Sequence, residues 1–225
     1  MYSSLDRVDI VARTKDGARL YIQTDHRTSA EIEQERDLSV VFLIARLINA
    51  IRMAKAESNK YQIIYSCQYN PPEFFQQIIA STGAILKTKD ENELPFKGTL
   101  CDVEYILNGA LYAIAIQRAQ FLKENFTINA MHKYEKMVST MKIDPEEDEV
   151  VYWTTVIQIG AFAGEILRRT LGGKWTFDDE MGPLPFVFDC RGAKVNFMGK
   201  ATKFLEMGEE DSIAYLLLVA LKKFR

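Results

Sequence analysis

The sequence predicts an α+β protein in which an N-terminal hairpin–helix–strand–helix unit is followed by a mainly helical unit with a small sheet near the C-terminus. Three observations lead to this fold class. Apolar and polar residues alternate near the start of the chain, apolar residues at helical spacing fill most of the remainder, and a polar stretch with Pro95 and Gly98 divides the two parts. We therefore expect a small α+β domain at residues 1–88, a linker at 89–100 and a helical α+β domain at 101–225.

The first unit is expected to begin with a β-hairpin. Asp16-Gly17 marks its turn, because glycine accepts the positive φ that a tight hairpin turn requires. One long helix should follow, and its apolar run Val40–Ile51 is wider than a single helical stripe, which predicts burial on more than one side. The expected elements, in order, are strands at Val8–Ala12 and Arg19–Gln23, a helix at Ala30–Glu57, a strand at Tyr61–Cys67 and a helix from Pro72 or Glu73 to about Gly83.

Helices are expected to dominate the second unit. Thr127 is a favourable N-cap for one helix, and Gly172-Gly173 should end another. The expected elements are helices with apolar faces over Val103–Phe121, Ile128–Met141 and about Asp144–Leu171, short strands at Lys174–Phe177, Pro185–Asp189 and Lys194–Phe197, a helix at Lys200–Met207, and a last helix whose start carries Glu209–Asp211.

Composition and charge exclude several classes of protein. Because 48% of the 225 residues are hydrophobic, most of the chain is not expected to be intrinsically disordered. Because 28 basic side chains stand against 31 acidic ones, a broad nucleic-acid-binding surface is not expected. The start of the chain has no basic region followed by an apolar one, and the run Val40–Ile51 is too short to span a bilayer. Three separated cysteines without a C-x-x-C pair are typical of a reduced, cytoplasmic protein.

Motifs that carry known chemistry are absent from the sequence. It contains no G-x-S-x-G, no P-loop and no G-x-G-x-x-G. The two histidines, His26 and His132, lie in different halves and lack a neighbouring metal ligand. Asp25-His26 is a weak candidate for a general base after a strand. We therefore assign no catalytic residue, metal or cofactor.

The stretch from Gly160 to Trp175 is the most informative part of the sequence. Two glycines one helical turn apart allow another group to approach the helix closely, and Glu165 with Arg169 forms a stabilising i, i+4 pair. Arg168 should point elsewhere and donate to a carboxylate or a carbonyl, and Trp175 should pack on the same helix. One interpretation is a close-packed helix end tied by an ion pair. The other is an anion or substrate pocket formed by Glu165, Arg168 and Trp175.

Acidic residues form two short clusters in the second half. Asp178, Asp179 and Glu180 make one, and Glu209–Asp211 the other; neither has the spacing of a calcium-binding loop. A solvated turn and a helix start explain them structurally. The alternative is an acidic surface that attracts a basic partner, since the whole charge excess lies in residues 101–225, with 15 basic and 18 acidic side chains.

The second half resembles a widespread uncharacterised bacterial domain family. The resemblance rests on G-x-x-x-G-E-x-x-R-R-x-L-G-G-x-W, a Gly-Pro loop, short strands and a Gly-Glu-Glu-Asp-Ser helix start, and it covers about Val150–Leu218. The front half is similar to another small uncharacterised bacterial domain, with a Val-Asp-Ile strand, a hairpin and a helix carrying Leu-Ile-Asn-Ala-Ile. The resemblance implies no active site. It does imply a place among bacterial interaction and toxin–immunity systems.

Two functional hypotheses follow. The first is a non-catalytic, cytoplasmic protein-binding module, such as an immunity protein that masks a basic toxin. The second is an enzyme or small-ligand-binding protein with a pocket at the domain junction near Glu165, Arg168 and Trp175. A homo-oligomer that uses the Val40–Ile51 helix as an interface is also open, whereas nucleic-acid and membrane partners are not expected.

Overall fold

The computed structural model describes residues 10–14, 17–68, 70–88, 96–178 and 180–224. It is 58% helical and 17% strand, with one sheet near each end of the chain, which confirms the α+β class and the excess of helix. The chain divides into two compact units, residues 3–107 and residues 108–225, so the division lies after the predicted linker. Residues 89–95 of that linker are outside the described part of the chain.

The first unit contains a four-stranded sheet of order β1-β2-β3-β4. β1 pairs antiparallel with β2, with Val11 opposite Tyr21, whereas β2, β3 and β4 are parallel. Parallel neighbours need a crossover connection, and the helices supply it. The elements are β1 (Ile10–Arg13), β2 (Arg19–Asp25), α1 (Ser29–Gln34), α2 (Arg36–Glu57), β3 (Tyr61–Cys67), α3 (Glu73–Ser81) and β4 (Ile85–Thr88).

One prediction for the first unit was wrong, and one strand was missed. The single helix expected at residues 30–57 is two helices, because Thr28 and Glu31 form a capping box for α1 and Glu35 leaves helical geometry at φ −113°. β4 was not predicted, since it is only four residues long and continues into a polar segment. The predicted hairpin has both its strands, although Val8, Asp9, Lys15 and Asp16 lie outside the described residues.

The core of the first unit lies between the sheet and α2. Tyr21, Ile63 and Tyr65 point from the strands to the same face and are buried. The α2 residues from Ser39 to Leu47 are all buried, as the wide apolar pattern predicted. α2 therefore presents no exposed apolar stripe along this stretch, and an oligomer interface on it stays a prediction.

The second unit consists of helices with a small antiparallel sheet of order β5-β6-β7. Thr127 caps α5 by accepting a hydrogen bond from the amide of Ala130, as predicted. The elements are α4 (Val103–Leu122, which belongs to this unit from Asn108 onward), α5 (Ile128–Ser139), α6 (Glu149–Leu171), β5 (Lys174–Phe177), β6 (Phe186–Cys190), β7 (Ala193–Val195), α7 (Phe197–Met207), a 3-10 turn (Gly208–Asp211) and α8 (Ile213–Phe224).

Three details of the second unit differ from prediction. Phe121 and Met141 are exposed rather than part of apolar faces, because α5 ends at Ser139 and α4 turns the Phe121 ring to solvent. α7 begins at Phe197, three residues earlier than expected, where the Asn196 side chain caps it. The acids of Glu209–Asp211 form the 3-10 turn, and Ser212 begins α8 by accepting from the amide of Tyr215.

α6 is the central helix of the second unit. α7 packs along it in the opposite direction, since Met198 contacts Gly160 and Glu206 accepts a hydrogen bond from the Tyr152 hydroxyl. Within the described residues, α6 is the one helix long and apolar enough to cross a membrane by length and composition. Because 67% of its most apolar window is buried within the protein, this is weak evidence for a span.

Candidate functional site

Trp175 is part of the core of the second unit. Its side chain is 5% exposed and its ring lies against α6, where a Cβ on Gly164 would be 2.5 Å from Cζ2. Phe188 meets the ring edge-on at a centroid distance of 5.5 Å. The structure thus confirms the predicted burial of Trp175 against α6 and leaves the ring little surface for a ligand.

Asn108 fixes the backbone at Trp175. The Asn108 side chain accepts from the Trp175 amide at 2.7 Å and donates to the Trp175 carbonyl at 2.8 Å. Among the described residues, β5 pairs only with β6 and is an edge strand of its sheet. The Asn108 side chain supplies the hydrogen bonds that a second neighbouring strand would give to Trp175. Sequence reasoning missed Asn108, because an asparagine within a helix carries no local signal for a contact 67 positions away.

Glu165 lies one turn before the end of α6 and binds both following arginines. Its carboxylate is 3% exposed and accepts hydrogen bonds from Arg168 at 2.6 and 2.8 Å and from Arg169 at 2.7 Å. The expectation that Arg168 points away from this pair was wrong, because i, i+3 neighbours share a helix face as i, i+4 neighbours do. Burial alone would raise the pKa of Glu165, but the hydrogen bonds from the two guanidinium groups hold it below its ordinary value.

Both guanidinium groups also lie over aromatic rings. Arg168 is 5.5 Å from the ring centre of Tyr112, and Arg169 is 4.1 Å from that of Phe126. Each arginine side chain is 45% exposed, so the outer edge of each fork faces solvent. The cluster therefore stabilises the helix end and leaves a basic surface flanked by aromatic rings. The Glu165 carboxylate is already hydrogen-bonded to both arginines.

The acidic triplet after β5 is tied to the small sheet. Asp178 forms a 2.8 Å ion pair with Lys194 and also accepts from the amide of Glu180. The hydrogen bond from Lys194 lowers the pKa of Asp178. Asp179 lies outside the described residues, and Glu180 is exposed. At Asp178 the charge is therefore neutralised locally rather than offered to a partner.

A larger acidic surface lies where α6 begins and α7 ends. The antiparallel packing joins Tyr152 near the start of α6 to Glu206 near the end of α7, so residues 144–149 and 206–210 lie at the same end of this helix pair. Asp144 and Asp148 serve as turn and helix caps, whereas the carboxylates of Glu146, Glu147, Glu209 and Glu210 are exposed and make no hydrogen bond or ion pair within the described residues. The charge runs are visible in the sequence, but their proximity depends on the direction of α7.

Apolar side chains interrupt this acidic surface. Met207 is 62% exposed between Glu206 and the 3-10 turn, and Val151 is 47% exposed in the first turn of α6. Burial raises the pKa of the neighbouring Tyr152 to about 12, so its hydroxyl remains a donor to Glu206 at neutral pH. We call this region the acidic end: Glu146, Glu147, Val151, Glu206, Met207, Glu209 and Glu210.

Glu135 of α5 caps the start of α8. Its buried carboxylate accepts hydrogen bonds from the amides of Ile213 and Ala214 and from the Ser212 hydroxyl. His132 stands 3.5 Å from the same carboxylate. His132, Glu135 and Ser212 line a cavity of about 380 Å³ together with Lys136, Phe204 and Glu209, but the Glu135 oxygens are occupied by the helix start, which is a structural role.

The weak candidate at the end of β2 is a saturated ion pair. Arg27 donates to the Asp25 carboxylate from its side chain and its amide, and the Tyr65 hydroxyl donates at 2.7 Å. Burial would raise the pKa of Asp25, but these donors lower it overall, which makes the carboxylate a poor base. His26 is exposed and lies outside this cluster.

Comparison with protein-family models, curated proteins and solved structures finds no match to this chain. The resemblance of the two halves to bacterial domains therefore stays a prediction. The geometry of the described residues carries the functional argument.

Proposed function

We propose that this protein is a non-catalytic binding module that uses the acidic end of its second unit to bind a basic protein. The observation that carries the proposal is that two acidic segments lie at the same end of the α6–α7 pair, where Met207 and Val151 are also exposed. An apolar centre surrounded by charge of one sign is typical of a protein interface, because the apolar atoms give affinity and the charges select and steer the partner.

Of the two acidic clusters that the sequence suggested, this placement keeps Glu209 and Glu210 and leaves out Asp178–Glu180. Asp178 is paired with Lys194, so it contributes little field to solvent. The free carboxylates at Glu147, Glu209 and Glu210 are better placed to attract a basic partner. Opposite charge on a partner raises the rate of encounter, and the effect declines with salt over a screening length of about 8 Å.

An immunity protein that masks a basic toxin, such as a nuclease, is the form of this function that we favour. Masking requires fast association with a positively charged surface and needs no catalytic group. A cytoplasmic location fits that role. The enzyme or ligand-binding alternative near Glu165, Arg168 and Trp175 has less support, because Trp175 is packed and the Glu165 carboxylate is saturated by hydrogen bonds.

The test compares two variants of equal charge. In the first, Glu147, Glu209 and Glu210 are replaced by glutamine. In the control, the exposed first-unit residues Glu33, Glu35 and Glu73 are replaced in the same way. Partners captured by the wild-type chain from the source cell are identified, and their association rates are measured at low and physiological salt.

We expect a basic partner whose association slows steeply with salt and slows again for the acidic-end variant, with the control unchanged. Co-production of the chain with that partner should relieve the toxicity of the partner. Equal rates for the two variants would refute the acidic end as the interface. A captured partner that is itself acidic, with salt-independent association, would refute the electrostatic form of the proposal.

A further inference from the structure

A second surface of the same unit has the opposite charge. A groove of about 410 Å³ runs between the first half of α7 and the second half of α8. Its size is within the range of small-molecule sites. The lining residues are Lys194, Val195, Asn196, Gly199, Lys200, Lys203, Leu216, Val219, Ala220, Lys223 and Phe224, and none of these is acidic. We call it the lysine groove.

The floor of the lysine groove is apolar. Leu216, Val219 and Ala220 come from α8, and Val195 and Phe224 complete the surface. Val219 is itself partly exposed to solvent, so its side chain is accessible from the groove. The floor therefore suits the hydrocarbon part of a ligand.

The rim of the lysine groove carries four lysines, two of which form ion pairs; of the other two, Lys223 lies over the ring of Phe224 at 5.6 Å. Lys194 is paired with Asp178, and Lys200 with Asp211 at 2.6 Å. Among the residues that the structure describes, no carboxylate lies within ion-pair distance of Lys203 or Lys223. These two ammonium groups, on different helices, remain available to a ligand anion.

The start of α7 adds to the positive potential. Asn196 and Gly199 belong to both the first turn of α7 and the lining of the groove. The amides at a helix start carry the positive end of the helix dipole, which favours an anion nearby. Two ammonium groups, a helix start and an apolar floor thus meet in one cavity.

We propose that the lysine groove binds a small amphiphilic anion, which consists of a carboxylate or phosphate attached to a compact hydrocarbon chain. The head group would lie between Lys203 and Lys223, and the chain would cover Leu216 and Val219. Lysine is a flexible point charge that does not require a planar partner, so a planar carboxylate and a tetrahedral phosphate can both bind the lysines of the rim.

Sodium decanoate at submicellar concentration is the probe. Its binding to the full chain is followed by calorimetry and by amide chemical shifts, with decanol and decyltrimethylammonium as probes that keep the chain but lose or reverse the charge. We expect saturable binding of decanoate, one per chain, with shifts confined to α7 and α8, and much weaker binding of the other two.

A matched pair of variants locates the head group. Lys223→Glu alters the rim, whereas Lys222→Glu makes the same charge change one residue away, outside the lining, at the same end of α8. Lys203→Glu with Lys223→Glu should weaken decanoate by roughly tenfold or more, since two attractive charges become repulsive. Lys222→Glu should change it by no more than about twofold at physiological salt.

Val219→Trp tests the floor independently, because it fills the groove and keeps every lysine. This variant should abolish decanoate binding while its unfolding midpoint stays near that of the wild type. Lys203→Gln with Lys223→Gln gives a milder charge change if the reversed pair does not fold.

Several outcomes would overturn the proposal. These are the absence of saturable decanoate binding, equal affinity for decyltrimethylammonium, or equal effects of Lys222→Glu and Lys223→Glu. Binding to anionic phospholipid vesicles without binding of free decanoate would identify a membrane surface instead. Concentration-dependent association that Lys223→Glu removes, again without decanoate binding, would show that a second copy occupies the groove.

Discussion

Gly164→Ala should destabilise the second unit, although alanine is the better helix former. The added Cβ would lie 2.5 Å from Cζ2 and 2.9 Å from Cε2 of Trp175, so one of the two must move. The Trp175 ring cannot move away from the added Cβ, because Phe188 packs edge-on against it and Asn108 binds both backbone polar groups of Trp175. Overpacking of this kind costs about 1–3 kcal/mol, and we expect the upper part of that range.

The helix propensity of alanine offsets part of this cost. Replacement of glycine by alanine inside a helix gains about 1 kcal/mol. The net loss expected for Gly164→Ala is therefore about 2 kcal/mol in the free energy of unfolding. The variant is expected to be less stable than the wild type because the Trp175 ring is rigid, not because one methyl group is large.

Gly160→Ala is the matched comparison one turn earlier on α6. Its Cβ would come 2.4 Å from the sulfur of Met198, but this contact is with the flexible end of a methionine. A change of rotamer costs about 0.5–1.5 kcal/mol, which the helix propensity of alanine roughly cancels. Gly109→Ala in α4 meets no atom within 4 Å and should stabilise its helix by about 0.5–1 kcal/mol.

Urea unfolding followed by tryptophan fluorescence measures all three variants. Both tryptophans, Trp153 and Trp175, belong to the second unit, so the signal reports that unit alone. A Gly164→Ala variant as stable as Gly160→Ala would refute the argument from a clamped ring. In a Trp175→Phe background the cost of Gly164→Ala should fall by about 1 kcal/mol, because the colliding part of the ring is gone.

Three further predictions concern the same unit. Trp175→Ala should cost about 3–5 kcal/mol, and an unchanged urea midpoint would contradict the packing role. Glu165→Gln should cost about 1–2 kcal/mol at neutral pH, since both arginines stay half-exposed. As the pKa of Glu165 is lowered in the folded state, that stabilisation is fully present above about pH 4.3 and is lost as the pH falls through the folded pKa. A wild-type advantage that does not decline at all on acidification below about pH 4.3 would argue against the ion pair. Glu135→Ala should cost about 2–3 kcal/mol by leaving the Ile213 amide without its acceptor, with Glu135→Gln costing about half as much in the same assay.

Local signals in the sequence were sufficient for most elements of the fold. Caps and breaks such as Thr127 and Gly172 act within one turn of the helix that they begin or end, so they can be read from neighbours in the chain. β4 could not be found in this way, because its four residues become a strand only by pairing with β3. The break at Glu35 was hidden by the strong apolar periodicity on its C-terminal side.

The candidate site was only partly predictable. Glu165 and Arg169 were recognised from their spacing, since i, i+4 pairing is a property of one helix. Trp175 is bound by Asn108 and Asp178 by Lys194, and each partner comes from a distant segment. No local sequence pattern predicts either contact. The acidic end is the clearest case, because both charge runs are obvious in the sequence while the antiparallel direction of α7 places them at the same end of the helix pair.

The charge order along α7 connects the two proposed surfaces. Carboxylates stabilise a helix near its N-terminus and ammonium groups near its C-terminus, and α6 follows this rule with Glu149 at its start and two arginines at its end. α7 does the reverse: Lys200 lies in its first half beside the lysine groove, and Glu206 lies in its last turn at the acidic end. Each such placement costs a few tenths of a kcal/mol, so helix stability does not account for it. Both side chains have partners within the unit, since Lys200 pairs with Asp211 and Glu206 accepts from the Tyr152 hydroxyl. Under the two proposals, an anion at one end of α7 and a cationic protein at the other would each meet the field that these charges produce.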